Sequence, residues 1–295
     1  MKITKAVIPA AGFGTRFLPF TRAVPKEMLP LVDKPVIQYV VEEAAAAGIT
    51  DILVVVSTGK TAIQEHFVPG GALEERLEAT GKTGELAALR RIDRLARIHY
   101  VYQKELNGLG DAVMQAAGFA GNDPFAVLLG DTVLRGEGKP VTAQLAEAFE
   151  EVQRPVVALE RVPAEKVNRY GIAGLSGGTG PLYKLNNLVE KPSPESAPSR
   201  LAVASRYVFT PDIFEELEKT PRGKGGEIQL TDAMKSLLQK SSVYGLEFAG
   251  KRYDIGNKLE FLKSTVEFGL RRPEFHDAFA EFLRELLKDE SCLKN

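Results

Sequence analysis

The chain has 295 residues, 44% of them hydrophobic and 26% charged, with 38 basic and 39 acidic side chains for a net charge of −1. These are ordinary values for a soluble globular protein, and the lack of a basic excess argues against binding to nucleic acid or a membrane surface, while leaving room for a local cationic nucleotide site. Cys292 is the only cysteine, so no intrachain disulfide can form; with no signal-peptide core and no apolar run near the roughly 18 residues of a membrane span, the expected location is cytoplasmic.

The length fits one large domain or two ordinary ones. The first apolar run, 3–8, reads as a buried strand. It leads into Ala10-Ala11-Gly12-Phe13-Gly14-Thr15-Arg16-Phe17-Leu18-Pro19 and then Pro25-Lys26-Glu27-Met28-Leu29-Pro30. A glycine loop after a first strand is where α/β folds hold phosphates, because glycine lets backbone N–H groups approach the oxygens with no side chain between. The dinucleotide pattern G-x-G-x-x-G fails at Phe17, and no Walker A pattern fits. Two cations, Arg16 and Lys26, accompany the loop instead. That suits a triphosphate gripped by side chains as well as by backbone.

Further strands are predicted at 52–57, 98–102 and 125–130, and helices at 36–47, 61–67, 84–95 and 110–119. The stripe Val36, Tyr39, Val40 and Ala44 reads as core packing. Such alternation implies a mostly parallel sheet covered on both faces, with ligands at the carboxyl ends of its strands. The Gly12 loop and Asp131 both fall at such ends. The stretch 67–97 reads as a long, charged, helical arm between the second and third strands. Gly59-Lys60-Thr61 and Gly81-Lys82-Thr83 imitate the end of a Walker A loop, but Val54 and Arg76 stand where its first glycine is required. His66, His99 and His276 lack metal-ligand spacing, and Cys292 makes a poor candidate nucleophile.

In the second half, helices are predicted at 139–151, 211–219, 229–240, 257–270 and 274–288. Strands are predicted at 155–161, 171–175, 182–190, 201–209 and 243–249. The glycine-rich stretch 174–181 reads as a hairpin turn, and 191–199, rich in proline and serine, as a surface loop. There is no internal repeat and no linker long enough to separate two domains. Taken alone, Asp131 is more often a turn or helix cap, Asp254 the turn before a helix, and Glu190-Lys191 a solvated pair.

The loop with its prolines resembles the signature of the nucleotidyltransferases that join a sugar phosphate to a nucleotide. The run 26–38, KEMLPLVDKPVIQ, is close to that of the bacterial uridylyltransferase branch, which joins UTP and glucose 1-phosphate. The resemblance covers roughly 1–270. It implies a Rossmann-like nucleotide-diphospho-sugar transferase fold: an α/β architecture whose mostly parallel mixed sheet is flanked by helices, with a sugar-side β subregion and C-terminal helices. It also implies one catalytic domain over 1–270, with a nucleotide side at about 1–135, a sugar side at about 136–256 and a helical tail at 271–295.

The same resemblance implies the reaction of UTP with α-D-glucose 1-phosphate to give UDP-glucose and pyrophosphate, with Mg²⁺ as cofactor. Ala10, Ala11, Gly12, Gly14, Thr15, Arg16, Lys26, Gln103, Gly108 and Asp131 would meet the nucleotide. Gly171, Glu190, Lys191 and Glu227 would meet the sugar phosphate, and Asp131 and Asp254 the metal. Arg16, Lys26, Asp131 and Lys191 would carry the chemistry. Without metal the two aspartates are expected to repel. Asp111 departs from the family, standing where close members usually have histidine. The apolar helical patterns of 261–287, together with the family's habit, imply a homodimer or homotetramer. Two alternatives remain: a sister enzyme using dTTP, against which the long arm argues, and a silent sugar-nucleotide-binding subunit, against which the retention of Arg16, Lys26, Asp131, Lys191 and Asp254 argues.

Overall fold

A computed structural model describes residues 1–178 and 180–288, apart from the side chain of Lys224. Cys292 and the end of the tail lie outside the described residues. In chain order the first half comprises β1 (Lys5–Pro9), β2 (Pro30–Leu31), β3 (Lys34–Pro35), α1 (Val36–Ala46), β4 (Asp51–Val56), α2 (Thr61–His66), α3 (Ala72–Ala79), α4 (Thr83–Ile92), β5 (Arg97–Tyr102), α5 (Leu109–Met114), α6 (Ala117–Ala120), β6 (Phe125–Leu128) and β7 (Thr132–Gly136). The rest comprises α7 (Val141–Val152), β8 (Val156–Arg161), β9 (Gly171–Gly177), β10 (Leu182–Glu190), β11 (Leu201–Phe209), α8 (Asp212–Lys219), α9 (Leu230–Leu238), β12 (Tyr244–Glu247), β13 (Gly250–Asp254), α10 (Lys258–Leu270) and α11 (His276–Lys288).

Nine strands form one sheet in the order β5-β4-β1-β6-β11-β8-β12-β10-β9. The first four are parallel. Beyond β6 the pairing turns antiparallel, except between β8 and β12. The parallel order is therefore a property of the first half of the chain, and β9 bends back far enough to pair with β11 as well.

Period-two alternation splits the parallel strands between two cores. Ala6, Ile8, Ile52, Val54, Ala126 and Leu128 face α1 and α7. Val7, Leu53, Val55, Phe125 and Val127 face α5, α8 and α9. Each fully buried aliphatic side chain stabilises by about 1.5–3 kcal/mol, so both faces hold the strand ends rigidly. Helix α1 presents Val36, Ile37, Val40, Val41 and Ala44 to the first core. It ends where Gly48 takes the left-handed backbone, φ 85°, that favours glycine after a helix.

Several features depart from the sequence reading. The charged arm holds two helices, α3 and α4, rather than one. The predicted helix 110–119 is broken into α5 and α6 at Gln115 and Ala116, where ψ approaches zero. The hairpin turn is also tighter than predicted, since β9 runs on to Gly177.

A separate two-stranded ribbon pairs β7 with β13 antiparallel, with Thr132 opposite Asp254. Its small core joins Leu31, Val36, Val133, Tyr253 and Ile255 to Phe261 and Phe268 of α10. Asn257 caps α10 by accepting from the Glu260 N–H at 3.1 Å. Phe17 of the glycine loop packs edge-on against Phe261, which ties the loop to the ribbon.

Candidate active site

The glycine loop leaves β1 at the carboxyl edge of the sheet. Gly14 is left-handed, φ 67°, and a Cβ there would stand 3.1 Å from both Lys26 Cβ and Thr21 Cγ2. Glycine is thus required both by conformation and by close approach. Thr21 Oγ1 donates to the Gly14 carbonyl at 2.9 Å and closes the loop. Ala10 and Ala11 are buried beneath it, and Gly12 lies over Lys26 Nζ.

Lys26 Nζ lies 2.6 Å from Asp131 Oδ2. Burial would lower the Lys26 pKa, but the carboxylates of Asp131 and Glu27 outweigh it and hold it above the ordinary lysine value. Burial in turn pushes Asp131 up, while Lys26 and Arg16 prevail and hold its carboxyl below the usual range. Arg16 donates to the Gly256 carbonyl at 2.7 Å.

The two aspartates, distant in sequence, are brought together by the ribbon. Asp131 immediately precedes β7, Asp254 ends β13, and Thr132 faces Asp254 in the register. A Cβ on Gly256 would meet Asp131 Oδ2 at 3.2 Å, Asp254 Oδ1 at 3.3 Å and the Arg16 guanidinium at 3.4 Å. Two carboxylates and one cation therefore converge on the face of Gly256. Asp254 has a second cation nearby, Arg169, at 3.8 Å. The repulsion expected between the aspartates without metal is offset, because Lys26 neutralises Asp131. Among the described residues no group of three or more His, Cys, Asp or Glu side chains could hold a metal. Two hard carboxylate oxygens beside a phosphate loop fit Mg²⁺, which takes one or two carboxylates and completes its shell with phosphates and water.

Beneath this site lies a pair that the sequence reading passed over. Lys60, dismissed as a false Walker lysine, is buried and donates to Glu27 at 2.9 Å and to the Ala10 carbonyl. Burial lowers the Lys60 pKa and raises that of Glu27, each against the pull of its partner. The available signal was the position of Lys60 just past β4, on the ligand edge. On the other side, buried Arg206 forks onto Glu43 at 2.7 Å and donates to the Thr132 carbonyl at 2.9 Å. Glu43 also accepts from the backbone and hydroxyl of Thr142. This knot fixes the residue next to Asp131.

Two strands along the edge, Gln103 follows β5, its N–H bonded to the Val56 carbonyl at 2.8 Å. Its side chain is buried and donates to the Gly108 carbonyl at 3.2 Å and to Asp111 Oδ2 at 2.6 Å. The loop 107–110 lies backbone to backbone on 226–229. Gly110 N–H bonds to the Ile228 carbonyl at 2.9 Å, and Ile228 N–H to the Asn107 carbonyl at 2.6 Å. A Cβ on Gly108 would sit 2.7 Å from Glu227 Cβ. The two motifs Gly108-Leu109-Gly110 and Gly226-Glu227-Ile228 thus require each other.

On the antiparallel side, Gly171 pairs with Glu190 across β9 and β10. Glu190 accepts from Thr231 at 2.9 Å and from Lys191 at 2.9 Å. The Lys191 N–H bonds to the Tyr170 carbonyl at 3.0 Å, and Lys191 is left-handed, φ 47°. Gly171, Glu190 and Lys191 therefore form one cluster. Thr231 joins it through its hydroxyl, while Glu227 is exposed beside Gly108, its carboxylate accepting from Gln229 at 3.2 Å.

A glycine loop with two cations, a carboxylate pair and a lysine cluster across one sheet edge define an enzyme built to handle nucleotide and sugar phosphates. The profile of the nucleotidyl transferase family matches residues 5–268, and the chain belongs to that family. It is 48% identical over 289 residues to a UTP–glucose-1-phosphate uridylyltransferase of Bacillus subtilis, covering 98% of this chain and 99% of the relative. It also superposes on a UTP-bound UDP-glucose pyrophosphorylase of Acinetobacter baumannii with a TM-score of 0.90, at 36% identity, covering 96% and 99% of the two chains. A UDP-glucose pyrophosphorylase solved with UDP-glucose gives a TM-score of 0.85 at 39% identity, covering 92% and 100%.

Proposed function

We propose that this chain transfers the uridylyl group of UTP to α-D-glucose 1-phosphate, giving UDP-glucose and pyrophosphate. The observation that carries this reading is the convergence of Asp131, Asp254 and Arg16 on Gly256, beside the glycine loop and Lys26. The nearly full-length likeness to uridylyltransferases supports the choice of substrates.

The sugar phosphate needs no general base, because its second pKa is about 6 and it is mostly dianionic at neutral pH. Lys191 would exchange its contact with Glu190 for that phosphate, leaving Glu190, held by Thr231, to accept from sugar hydroxyls. The backbone of Gly171 would meet the sugar, and Glu227 would border it. One phosphate oxygen attacks the α-phosphorus in line. The new P–O bond forms as the bond to the bridging oxygen breaks, and the electron pair leaves with pyrophosphate. Ala10, Ala11, Gly12, Gly14 and Thr15 would cradle the triphosphate with Arg16 and Lys26, and Gln103 and Gly108 would meet the base. Lys26 would leave Asp131 for the phosphates, which frees that carboxylate. Asp131 and Asp254 would then hold Mg²⁺, which when bound neutralises charge on the reacting phosphates. Catalysis reduces to positioning and charge neutralisation.

On this reading residues 1–270 form one catalytic unit, with the nucleotide side at about 1–135 and the sugar side at about 136–256, followed by the tail. Leu259, Leu262, Phe282, Leu286 and Leu287 of α10 and α11 are exposed and supply a self-association face for a homodimer or homotetramer. Among the described residues no helix is long and apolar enough to cross a membrane. We place the reaction in the cytoplasm, where its nucleotide substrate is made. The test is pyrophosphate release across a panel of nucleoside triphosphates and sugar phosphates. The highest kcat/KM is expected for UTP with glucose 1-phosphate; a higher value for dTTP, or no release with any pair, contradicts the proposal.

A further inference from the structure

The Gln103–Asp111 contact has a chemical consequence for base selection. A glutamine amide offers a donor end and an acceptor end, and a free one can turn either toward a base. Here the choice is fixed by the surroundings. The Gly108 carbonyl and the Asp111 carboxylate only accept, and both lie within hydrogen-bond distance of one end of the amide, at 3.2 and 2.6 Å. That end must be the NH₂ group, and both of its hydrogens are committed. Among the described residues no group donates to Oε1, which keeps access to solvent.

Asp111 is itself set in place by α5. Gly108 enters the helix with φ 100°, and the Gly110 N–H is tied to the Ile228 carbonyl. The carboxylate therefore approaches Gln103 from a backbone anchored just ahead of it. Gln103 stands two strand spacings from the glycine loop, about 10 Å, comparable to the reach from a pyrimidine across its ribose to the first phosphate.

We propose that Asp111 is a specificity-determining positioning residue that locks the Gln103 amide with its oxygen toward the nucleobase, so that the site selects a pyrimidine presenting a ring N–H donor. Uracil carries a hydrogen on N3 and meets Oε1. Cytosine presents a lone pair at N3 and faces a second acceptor, with no route for the amide to turn over. Thymine shares the N3 hydrogen, so this contact separates UTP from CTP and leaves dTTP to other parts of the pocket. The inference rests on the reading of Gln103 as a base contact.

The test measures kcat/KM for UTP and for CTP, with glucose 1-phosphate, in the wild type, Asp111→Asn and Asp111→Ala. Asparagine is nearly isosteric, can pair with either end of the amide and keeps the fold. Alanine removes the contact. The wild type is expected to prefer UTP strongly. The UTP-to-CTP ratio is expected to fall by about tenfold or more in Asp111→Ala, the scale of leaving one hydrogen-bonding group unsatisfied, with Asp111→Asn between. The KM for glucose 1-phosphate should not move, whereas a merely structural lesion would raise it too. Unchanged ratios in both variants of a wild type that prefers UTP would overturn the role of Asp111 alone. A wild type indifferent between UTP and CTP would overturn the Gln103 reading, and this inference with it.

Discussion

Lys191 shows how much of the site is set by single residues. Its left-handed backbone, φ 47°, is uncommon for a side chain with a Cβ, and the Tyr170 carbonyl and Glu190 carboxylate hold it there. Replacing Lys191 with alanine removes the cation proposed to hold the sugar phosphate and leaves the glycine loop untouched. Steady-state kinetics of Lys191→Ala should therefore show a rise of about tenfold or more in KM for glucose 1-phosphate, and a smaller one for UTP, as expected when a charge-assisted contact is lost. An equal rise for both substrates would place Lys191 outside the sugar side. At this scale the sequence was informative where a residue's own charge suggests a ligand contact, as proposed for Arg16 and Lys26. It was uninformative where a residue acts through another. Lys60 looked like a failed phosphate lysine, and only the fold puts Glu27 and the Ala10 carbonyl against it. Asp111 was visible as a departure from the family, but its partner was not.

Among the elements, the ribbon of β7 and β13 contributes most to the site, and it was the least legible in the sequence. Each strand has five residues. The predicted strand 125–130 stops short of Thr132-Val133-Leu134, and β13 is mostly polar. Their pairing joins segments far apart in the chain, which local periodicity cannot register. The four parallel strands, by contrast, were legible because burial on both faces makes each a continuous apolar run. The ribbon is braced by Arg206, which links β11, the Thr132 carbonyl and Glu43 of α1. Arg206→Met would leave Glu43 buried with only Thr142 as partner. Breaking a buried pair in this way costs about 3–5 kcal/mol, so denaturant unfolding should show a loss of that size. The double variant Glu43→Gln, Arg206→Met should recover part of it. A loss confined to a few tenths of a kcal/mol would mean that the knot does not brace the ribbon.

At the scale of the whole molecule, one sheet edge carries the proposed nucleotide side at its parallel end and the proposed sugar side at its antiparallel end. The reaction is proposed to occur where the ribbon closes between them. Helices α10 and α11 close the far side and leave Leu259, Leu262 and Leu287 more than half exposed. The proposal is that these side chains meet a second copy of the chain. Light scattering should find a dimer or tetramer at micromolar concentration, and Leu262→Glu should shift it toward monomer. A wild-type monomer would show that this face stays in water.

The proposed chemistry depends first on the carboxylate pair. Turnover of UTP and glucose 1-phosphate by the wild type, Asp131→Asn and Asp254→Asn, followed across a Mg²⁺ titration, tests it directly. Each variant keeps the size of the side chain and removes one charged oxygen ligand. The kcat of each should fall by at least about 100-fold, the scale of losing a preorganised electrostatic contact. Near-wild-type turnover by either variant at limiting Mg²⁺ would remove that aspartate from the reacting centre and contradict the convergence on Gly256 as the place where the phosphates meet.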